Sequence, residues 1–322
     1  MQRRLAGRAQ LRTIKANGIK IRVAEQGEGP LILFIHGFPE LWYSWRHQLP
    51  ALAAAGYHAV ALDVRGYGGS DAPKSVEAYS MKHMTADVTG VLDALGAKEA
   101  VVVGHDWGSL IAWNCALLYP DRIRAIVALS VPYFPRPALP PTQLFKKVYQ
   151  DNFFYILYFQ KPGVAEAELD ADVRRSFLVL MYEQSGDAPQ GSRKPLKKKG
   201  AKLLDGLPKP EHLPSWLADA DLAYYTGEFE RTGFRGGLNR YRNMDRDWEE
   251  LSHLGEAKVQ QPSLFISGEH EAVLEFVSLE GMKAHVPNLR STVMLPGGGH
   301  WIQQERPAEV NNALIEFLNE LS

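Results

Sequence analysis

The chain has 322 residues, of which 45% are hydrophobic and 23% are charged, the ordinary balance of a globular protein that can bury a core. Its 36 Lys and Arg residues almost cancel its 37 Asp and Glu residues, and the net charge of −1 excludes a general attraction to nucleic acid or to an anionic membrane. The single cysteine, Cys115, excludes an intramolecular disulfide and an all-cysteine metal site.

Targeting and membrane signals are absent from the sequence pattern. No apolar run follows the arginines of residues 1–7, as a secretory signal would require. The most apolar stretch, 153–159, is far shorter than the roughly 20 residues that cross a bilayer. We therefore expect a soluble, cytoplasmic protein without membrane insertion.

Short apolar runs along the chain are typical of strands buried on both faces, as in a parallel sheet. Helical patterns lie between several of these runs, and the alternation predicts an α/β fold with a mostly parallel central sheet flanked by helices. The predicted strands are 19–24, 31–35, 58–62, 100–103, 125–129, 263–266 and 291–295. The predicted helices of this part are 45–55, 81–95, 107–118 and 307–321.

The alternation stops at a proline-rich segment, residues 131–137, and does not resume before Gln261 and Pro262. Helical patterns continue in between, at 153–159, 166–181 and 217–232. We interpret this region as a helical insertion on the sheet. The prediction is an α/β core over residues 1–133, a helical cap or lid over 134–247 and the second part of the core over 248–322.

The strongest local signal for chemistry is Gly104-His105-Asp106-Trp107-Gly108, where a buried strand runs straight into a helix. The pattern is that of a nucleophile elbow, G-x-S-x-G, whose sharp turn lifts the central side chain above the sheet edge. With Asp106 in the centre, a carboxylate would attack an electrophilic carbon and form an alkyl ester. The alternative is an Asp that caps the following helix, and the five residues alone do not decide between the two.

Two later segments supply a base and its acid. His300 follows three glycines after the last predicted strand, and an imidazole there is suited to activate water. Such a base needs a carboxylate to orient it, and both Glu269 and Glu271 follow the preceding strand. The order Asp, Glu, His is typical of an α/β-hydrolase. The adjacent side chains at this strand end point in different directions, so they are poorly placed to bind one metal ion, and no H-E-x-x-H motif occurs. We therefore expect no metal and no cofactor.

The segment His36-Gly37-Phe38-Pro39 follows an early strand, which is the position of an oxyanion loop. The backbone N–H groups of Phe38 and Trp107 would then face the ester carbonyl.

Together these motifs resemble the α/β-hydrolase superfamily and, more narrowly, the soluble epoxide hydrolases, from about Ile19 to the C-terminus. The segments that carry the resemblance are 36–40, 42–46, 65–68, 104–108 and 299–301, with two cap motifs at 155–163 and 233–243. The resemblance implies an α/β-hydrolase fold with an inserted helical cap, and an enzyme that converts a small apolar epoxide and water to a vicinal diol.

Carried over by position, the resemblance implies roles for individual residues. Asp106 is the nucleophile, His300 the base, and Phe38 and Trp107 form the oxyanion hole. Tyr155 and Tyr241 donate hydrogen bonds to the epoxide oxygen, with Tyr158 as the alternative to Tyr155. Glu271 aligns with the acid, at a position that is usually Asp in this family, and Glu269 is its alternative. The substrate pocket would include Phe38, Trp107 and Trp301.

Two other functions remain open at this stage. A haloalkane dehalogenase uses the same Asp, His and oxyanion hole, although the cap tyrosines favour an epoxide. A catalytically silent protein of this fold would only bind a small ligand. The sequence leaves the choice between a monomer and a homodimer open, and it gives no reason to expect a nucleic acid partner.

Overall fold

Eight strands form one sheet in the order β1-β2-β4-β3-β5-β6-β7-β8. The strands are β1 Gln10–Ala16, β2 Ile19–Gln26, β3 Leu31–Ile35, β4 His58–Leu62, β5 Ala100–His105, β6 Ile123–Leu129, β7 Ser263–Gly268 and β8 Leu289–Leu295. β1 pairs antiparallel with β2, and β2 pairs antiparallel with β4. All further neighbours are parallel. The predicted α/β class with a mostly parallel sheet is confirmed.

The computed structural model describes residues 9–189 and 197–321. The interpretation of residues 1–7 as lacking a secretory signal concerns residues outside these ranges. The helices are α1 Gln48–Ala54, α2 Met81–Ala94, α3 Trp107–Leu118, α4 Pro141–Tyr149, α5 Tyr155–Phe159, α6 Val164–Leu169, α7 Val173–Glu183, α8 Asp219–Thr232, α9 Arg235–Tyr241, α10 Met244–Glu250, α11 Leu279–His285, α12 Ile302–Glu305 and α13 Pro307–Glu320. None of these helices is long and apolar enough to cross a membrane.

The central strands are buried on both faces, which explains their continuous apolar sequences. Successive side chains of β3 alternate between two hydrophobic clusters, with Ile32 and Phe34 on one face and Leu33 and Ile35 on the other. The first cluster includes side chains of α1 and α13, and the second includes side chains of α2 and α3. Helices therefore cover both faces of the sheet.

Helices α4 to α10 occupy the segment between β6 and β7, and their apolar side chains join the cluster on the α2–α3 face. Helix α8 is also bound to the core by polar contacts. Arg22 of β2 pairs with Glu228 at 2.8 Å, and the Trp42 indole N–H donates to the Tyr224 hydroxyl at 2.9 Å. The domain division at residues 133 and 247 stays a prediction.

Two differences from the predicted elements have clear physical causes. β1 was not predicted because it is an edge strand whose side chains are mostly exposed, so its sequence carries no apolar run. The helix predicted over 166–181 is divided into α6 and α7. The Asp172 side chain accepts a hydrogen bond from the Arg175 N–H at 2.9 Å, which caps a new helix at that point.

Candidate active site

Asp106 stands at a sharp turn between β5 and α3. Its φ of 52° and ψ of −119° lie in a region that residues other than glycine rarely adopt. The turn brings neighbouring backbone so close that a Cβ at Gly104 would overlap the Gly108 carbonyl, and a Cβ at Gly108 would overlap the Ile35 carbonyl. These glycines allow the strand–helix turn that the G-x-D-x-G pattern predicts.

Two backbone N–H groups bind the Asp106 carboxylate. The Phe38 N–H donates to Oδ1 at 2.8 Å, and the Trp107 N–H also donates to the carboxylate. Phe38 precedes a cis peptide bond to Pro39. The two amides that the sequence assigns to an oxyanion hole thus lie together at one end of the Asp106 side chain.

The His300 ring lies between two carboxylates. Its Nδ1 is 2.8 Å from Glu271 Oε2, and its Nε2 is 3.8 Å from Asp106 Oδ2. Glu271 is held in turn by the Val273 N–H, which donates to Oε1 at 2.9 Å. Glu269 is exposed. Of the two acids that the sequence leaves open, the fold therefore brings Glu271 to the histidine.

These three groups change each other's ionisation. Burial alone would lower the pKa of His300, but the charges of Glu271 and Asp106 outweigh it and raise that pKa to about 9. Burial would raise the pKa of Glu271, but the adjacent His300 holds it below its usual value. For Asp106, burial prevails over the opposing effect of His300, and the pKa of this carboxyl is raised.

Tyr155 and Tyr241 come from α5 and α9, and their ring centroids are 6.0 Å apart. Burial, followed by the charge of Asp106, raises the pKa of both hydroxyls, so each keeps its proton at neutral pH. Tyr158 differs, because its hydroxyl donates to Glu168 Oε2 at 2.8 Å.

The three residues assigned to a substrate pocket have different surroundings. The Phe38 ring packs edge-on against Tyr241 at 5.5 Å between centroids, and the Trp107 ring does so at 5.0 Å. Trp301 is 0% exposed, lies 4.7 Å from the His300 ring and donates its indole N–H to the Met181 carbonyl at 2.8 Å. Because Trp301 has no surface that a ligand could contact, it packs against the His300 ring and does not line a substrate pocket.

Comparison with known proteins agrees with this geometry. The family model for the alpha/beta hydrolase fold matches residues 30–307. Epoxide hydrolase A of Mycobacterium tuberculosis is 48% identical over 96% of this chain and 97% of its own length. Epoxide hydrolase 3 of Siraitia grosvenorii is 42% identical over 95% and 97%. The crystal structure of epoxide hydrolase A from Mycobacterium thermoresistibile has a TM-score of 0.93 at 50% identity, covering 97% of this chain and 98% of that one. The chain belongs to the epoxide hydrolases.

This epoxide hydrolase also contains a buried network around His300 that sequence analysis missed. Glu40 Oε2 lies 2.6 Å from His105 Nδ1 and accepts from the Gly37 N–H at 2.8 Å. The other ring nitrogen of His105 is 2.7 Å from the His300 carbonyl oxygen. The network joins the oxyanion loop, the elbow and the histidine loop. Glu40 and His105 are 65 residues apart in the chain, and His105 and His300 are 195 residues apart. No local sequence pattern indicates such a pairing.

A second missed residue is Glu305 of α12, whose carboxylate accepts from the N–H groups of Gly299 and Trp301 at 2.9 Å each. These bonds hold the backbone on both sides of His300. Among the described residues, no group of three His, Cys, Asp or Glu side chains is arranged to hold a metal ion.

We predict that Glu271→Gln lowers the pKa of His300, because it removes the charge that contributes most to stabilising the imidazolium. NMR titration of the His300 ring protons should show a pKa of about 9 in the wild type and a lower one in the variant. A raised pKa stabilises the fold fully below the ordinary value of 6.5, and this stabilisation is lost as the pH rises through about 9. The free energy of unfolding of the wild type should therefore decrease between pH 6.5 and about 9. In the variant this decrease should be absent.

Glu269→Gln is the matched control, since this exposed carboxylate lies outside the pair and should leave the His300 titration unchanged. An equal decrease of the His300 pKa in both variants would contradict the geometric assignment of Glu271.

Proposed function

We propose that this chain hydrolyses an apolar epoxide to a vicinal diol through a covalent ester on Asp106. The observation that carries the proposal is the placement of the Asp106 carboxylate. Oδ1 accepts from the Phe38 amide at 2.8 Å, while Oδ2 faces His300 Nε2 at 3.8 Å. The Phe38 amide thus holds Oδ1 for the future carbonyl, and Oδ2, which faces the histidine, is the oxygen that attacks carbon.

In the first half-reaction, Asp106 Oδ2 attacks an epoxide carbon and the carbon–oxygen bond of the ring breaks. The oxygen that leaves the carbon takes a proton from the hydroxyl of Tyr155 or Tyr241, which gives an ester with a neighbouring hydroxyl group. Both tyrosines keep their protons at neutral pH because their pKa values are raised. A positioned acid of this kind lowers the barrier at the moment when negative charge develops.

Ester formation also prepares the base. Asp106 is one of the charges that raise the pKa of His300, and the ester is neutral. The pKa of His300 therefore falls once the ester has formed, and the imidazolium gives up its proton to restore the tyrosine hydroxyl. This coupling supplies neutral His300 at the stage that needs it.

In the second half-reaction, His300 Nε2 removes a proton from water, and the resulting hydroxide attacks the ester carbonyl carbon. The charge that develops on Oδ1 is stabilised by the Phe38 and Trp107 amides. The bond between that carbon and Oδ2 breaks, so Oδ2 leaves as an oxygen of the diol, which takes the proton of the new carboxylic acid. Asp106 returns as a carboxylate and His300 as an imidazolium.

The surroundings of the reacting groups support an apolar substrate. The hydroxyl of Tyr155 is buried although the residue as a whole is 36% exposed, and aromatic rings of Phe38, Phe154 and Phe159 lie nearby. Haloalkane dehalogenation is less well supported, because the Trp107 indole that would bind a halide packs edge-on against Tyr241, with 5.0 Å between the ring centroids. Cytoplasmic location and the choice between monomer and homodimer stay predictions.

We predict that His300→Phe accumulates the ester, because Asp106 attacks without this base whereas water does not. Intact-protein mass spectrometry after incubation with styrene oxide should show the added mass of the whole epoxide, since ring opening loses no atom. The double variant Asp106→Ala/His300→Phe is the control and should show no added mass.

Added mass in the double variant would contradict Asp106 as the nucleophile. An alkyl group gained from simple haloalkanes, with none from epoxides, would favour the dehalogenase. No adduct with either reagent would leave only a silent binding protein or another hydrolase chemistry.

We predict that Tyr155→Phe and Tyr241→Phe each slow ester formation in the His300→Phe background, by about tenfold to a hundredfold for one lost acid. The double substitution should nearly stop it. Tyr158→Phe is the control, because the Tyr158 hydroxyl is bonded to Glu168. Rapid-quench mass spectrometry measures all four rates, and a larger loss at Tyr158 than at Tyr155 would overturn the assignment.

A further inference from the structure

Arg240 is a buried cation directly beside the active-site tyrosine in the chain. It is 2% exposed, its Nη1 donates to the Tyr79 carbonyl and its Nη2 pairs with the Asp247 carboxylate. Burial lowers the pKa of Arg240 to about 9, with Tyr67 acting in the opposite direction, so the guanidinium is charged at neutral pH. Burying a cation costs free energy, and Arg240 has no part in the two half-reactions proposed above.

The guanidinium faces Trp107. Arg240 Cζ lies 4.9 Å from the centroid of the Trp107 ring, within the range of an attractive cation–π contact. Among the residues that the structure describes, Arg240 Nε has no hydrogen-bond partner. Besides pairing with Tyr79 and Asp247, the guanidinium therefore contacts the ring face of Trp107.

Trp107 lines a pocket on the side that faces Arg240. A cavity of about 150 Å³ is lined by Trp107 and Arg240 together with Leu110, Trp113 and Met244. On the pocket side the indole has fewer packed neighbours than a side chain in the interior of the core. The cation–π contact with Arg240 restrains the ring on that side.

The other side of Trp107 is joined to Tyr241. The two rings are perpendicular, at 87°, with centroids 5.0 Å apart, and the Trp107 side chain acts against burial to lower the pKa of the Tyr241 hydroxyl. An indole nitrogen only donates, whereas a phenol both donates and accepts. When the indole occupies an acceptor position of the hydroxyl oxygen, the hydroxyl proton is free to be donated to a substrate.

We propose that Arg240 is a positioning residue for ring opening, holding the Trp107 indole so that the indole orients the Tyr241 hydroxyl towards the epoxide. The inference rests on the proposed function, in which Tyr241 donates to the epoxide oxygen. Arg240 acts on ester formation through the Trp107 side chain, whereas hydrolysis of the ester depends on His300 and on the backbone N–H groups of Phe38 and Trp107.

The test compares Arg240→Met with Arg242→Met. Arg242 is a matched control, since it is also a buried cation at the end of α9, but its partner is Glu166 at 2.8 Å and not Trp107. Rapid-quench mass spectrometry of single turnovers of styrene oxide gives separate rates for the rise and the decay of the ester. Arg240→Met should slow the rise about tenfold or more, as expected for a displaced catalytic group, and leave the decay close to that of the wild type.

Arg240→Lys retains a cation without the planar fork and should restore part of the rate of ester formation. Arg242→Met should leave both rates near the wild-type values. If Arg240→Met does not fold, Arg240→Lys and Arg242→Lys are compared by the same two rates, and only the former should slow the rise of the ester.

Equal slowing in the Arg240 and Arg242 variants, or equal slowing of rise and decay in the Arg240 variants, would overturn the positioning role and leave a structural one. Failure of the proposed function gives a different result, because no ester would then form in any variant, including His300→Phe.

Discussion

The conformation of Asp106 is the constraint around which the rest of the site is built. A φ of 52° in a residue other than glycine costs on the order of 1–3 kcal/mol, and the surrounding structure must maintain it. β5, which leads into the turn, is paired in parallel with β3 on one side and β6 on the other. Helix α3, which leaves the turn, packs on those same strands. A residue with a strained backbone is thus held at the end of a central strand, where two loops and the helices α5 and α9 converge on it.

Burial of charge is the second constraint, and it connects the structure to the proposed chemistry. The site contains the carboxylates of Asp106, Glu271 and Glu40 and the imidazoles of His300 and His105. Charges buried at this depth are tolerated only when they are paired, and each carboxylate here has an imidazole or an amide against it. Because the groups are coupled, a change at one alters the others, and neutralising Asp106 changes the basicity of His300. In the proposed mechanism, this coupling sets the order of the two half-reactions.

Local patterns predict the parts of this molecule that depend on neighbours in the chain. The buried central strands, the elbow at Asp106 and the position of His300 all follow from short motifs at strand ends. The choice between Glu269 and Glu271 depends on the turn after β7, where Glu271 accepts from the Val273 N–H. The choice between Tyr155 and Tyr158 depends on Glu168, which belongs to another helix. The contact of Arg240 with Trp107 joins residues from two distant segments, so no spacing in the sequence indicates it.

If Asp106 becomes covalently attached to a carbon of the epoxide, a single turnover in water enriched in oxygen-18 leaves a distinctive label in the enzyme. With wild-type enzyme in excess over epoxide, attack of labelled hydroxide on the ester carbonyl leaves the label in the Asp106 side chain. Peptide mass spectrometry should therefore find oxygen-18 in the Asp106 peptide, and the first diol released should carry none. Oxygen-18 in the diol of the first turnover, with an unlabelled Asp106 peptide, would mean that water attacks the epoxide directly and would contradict the account.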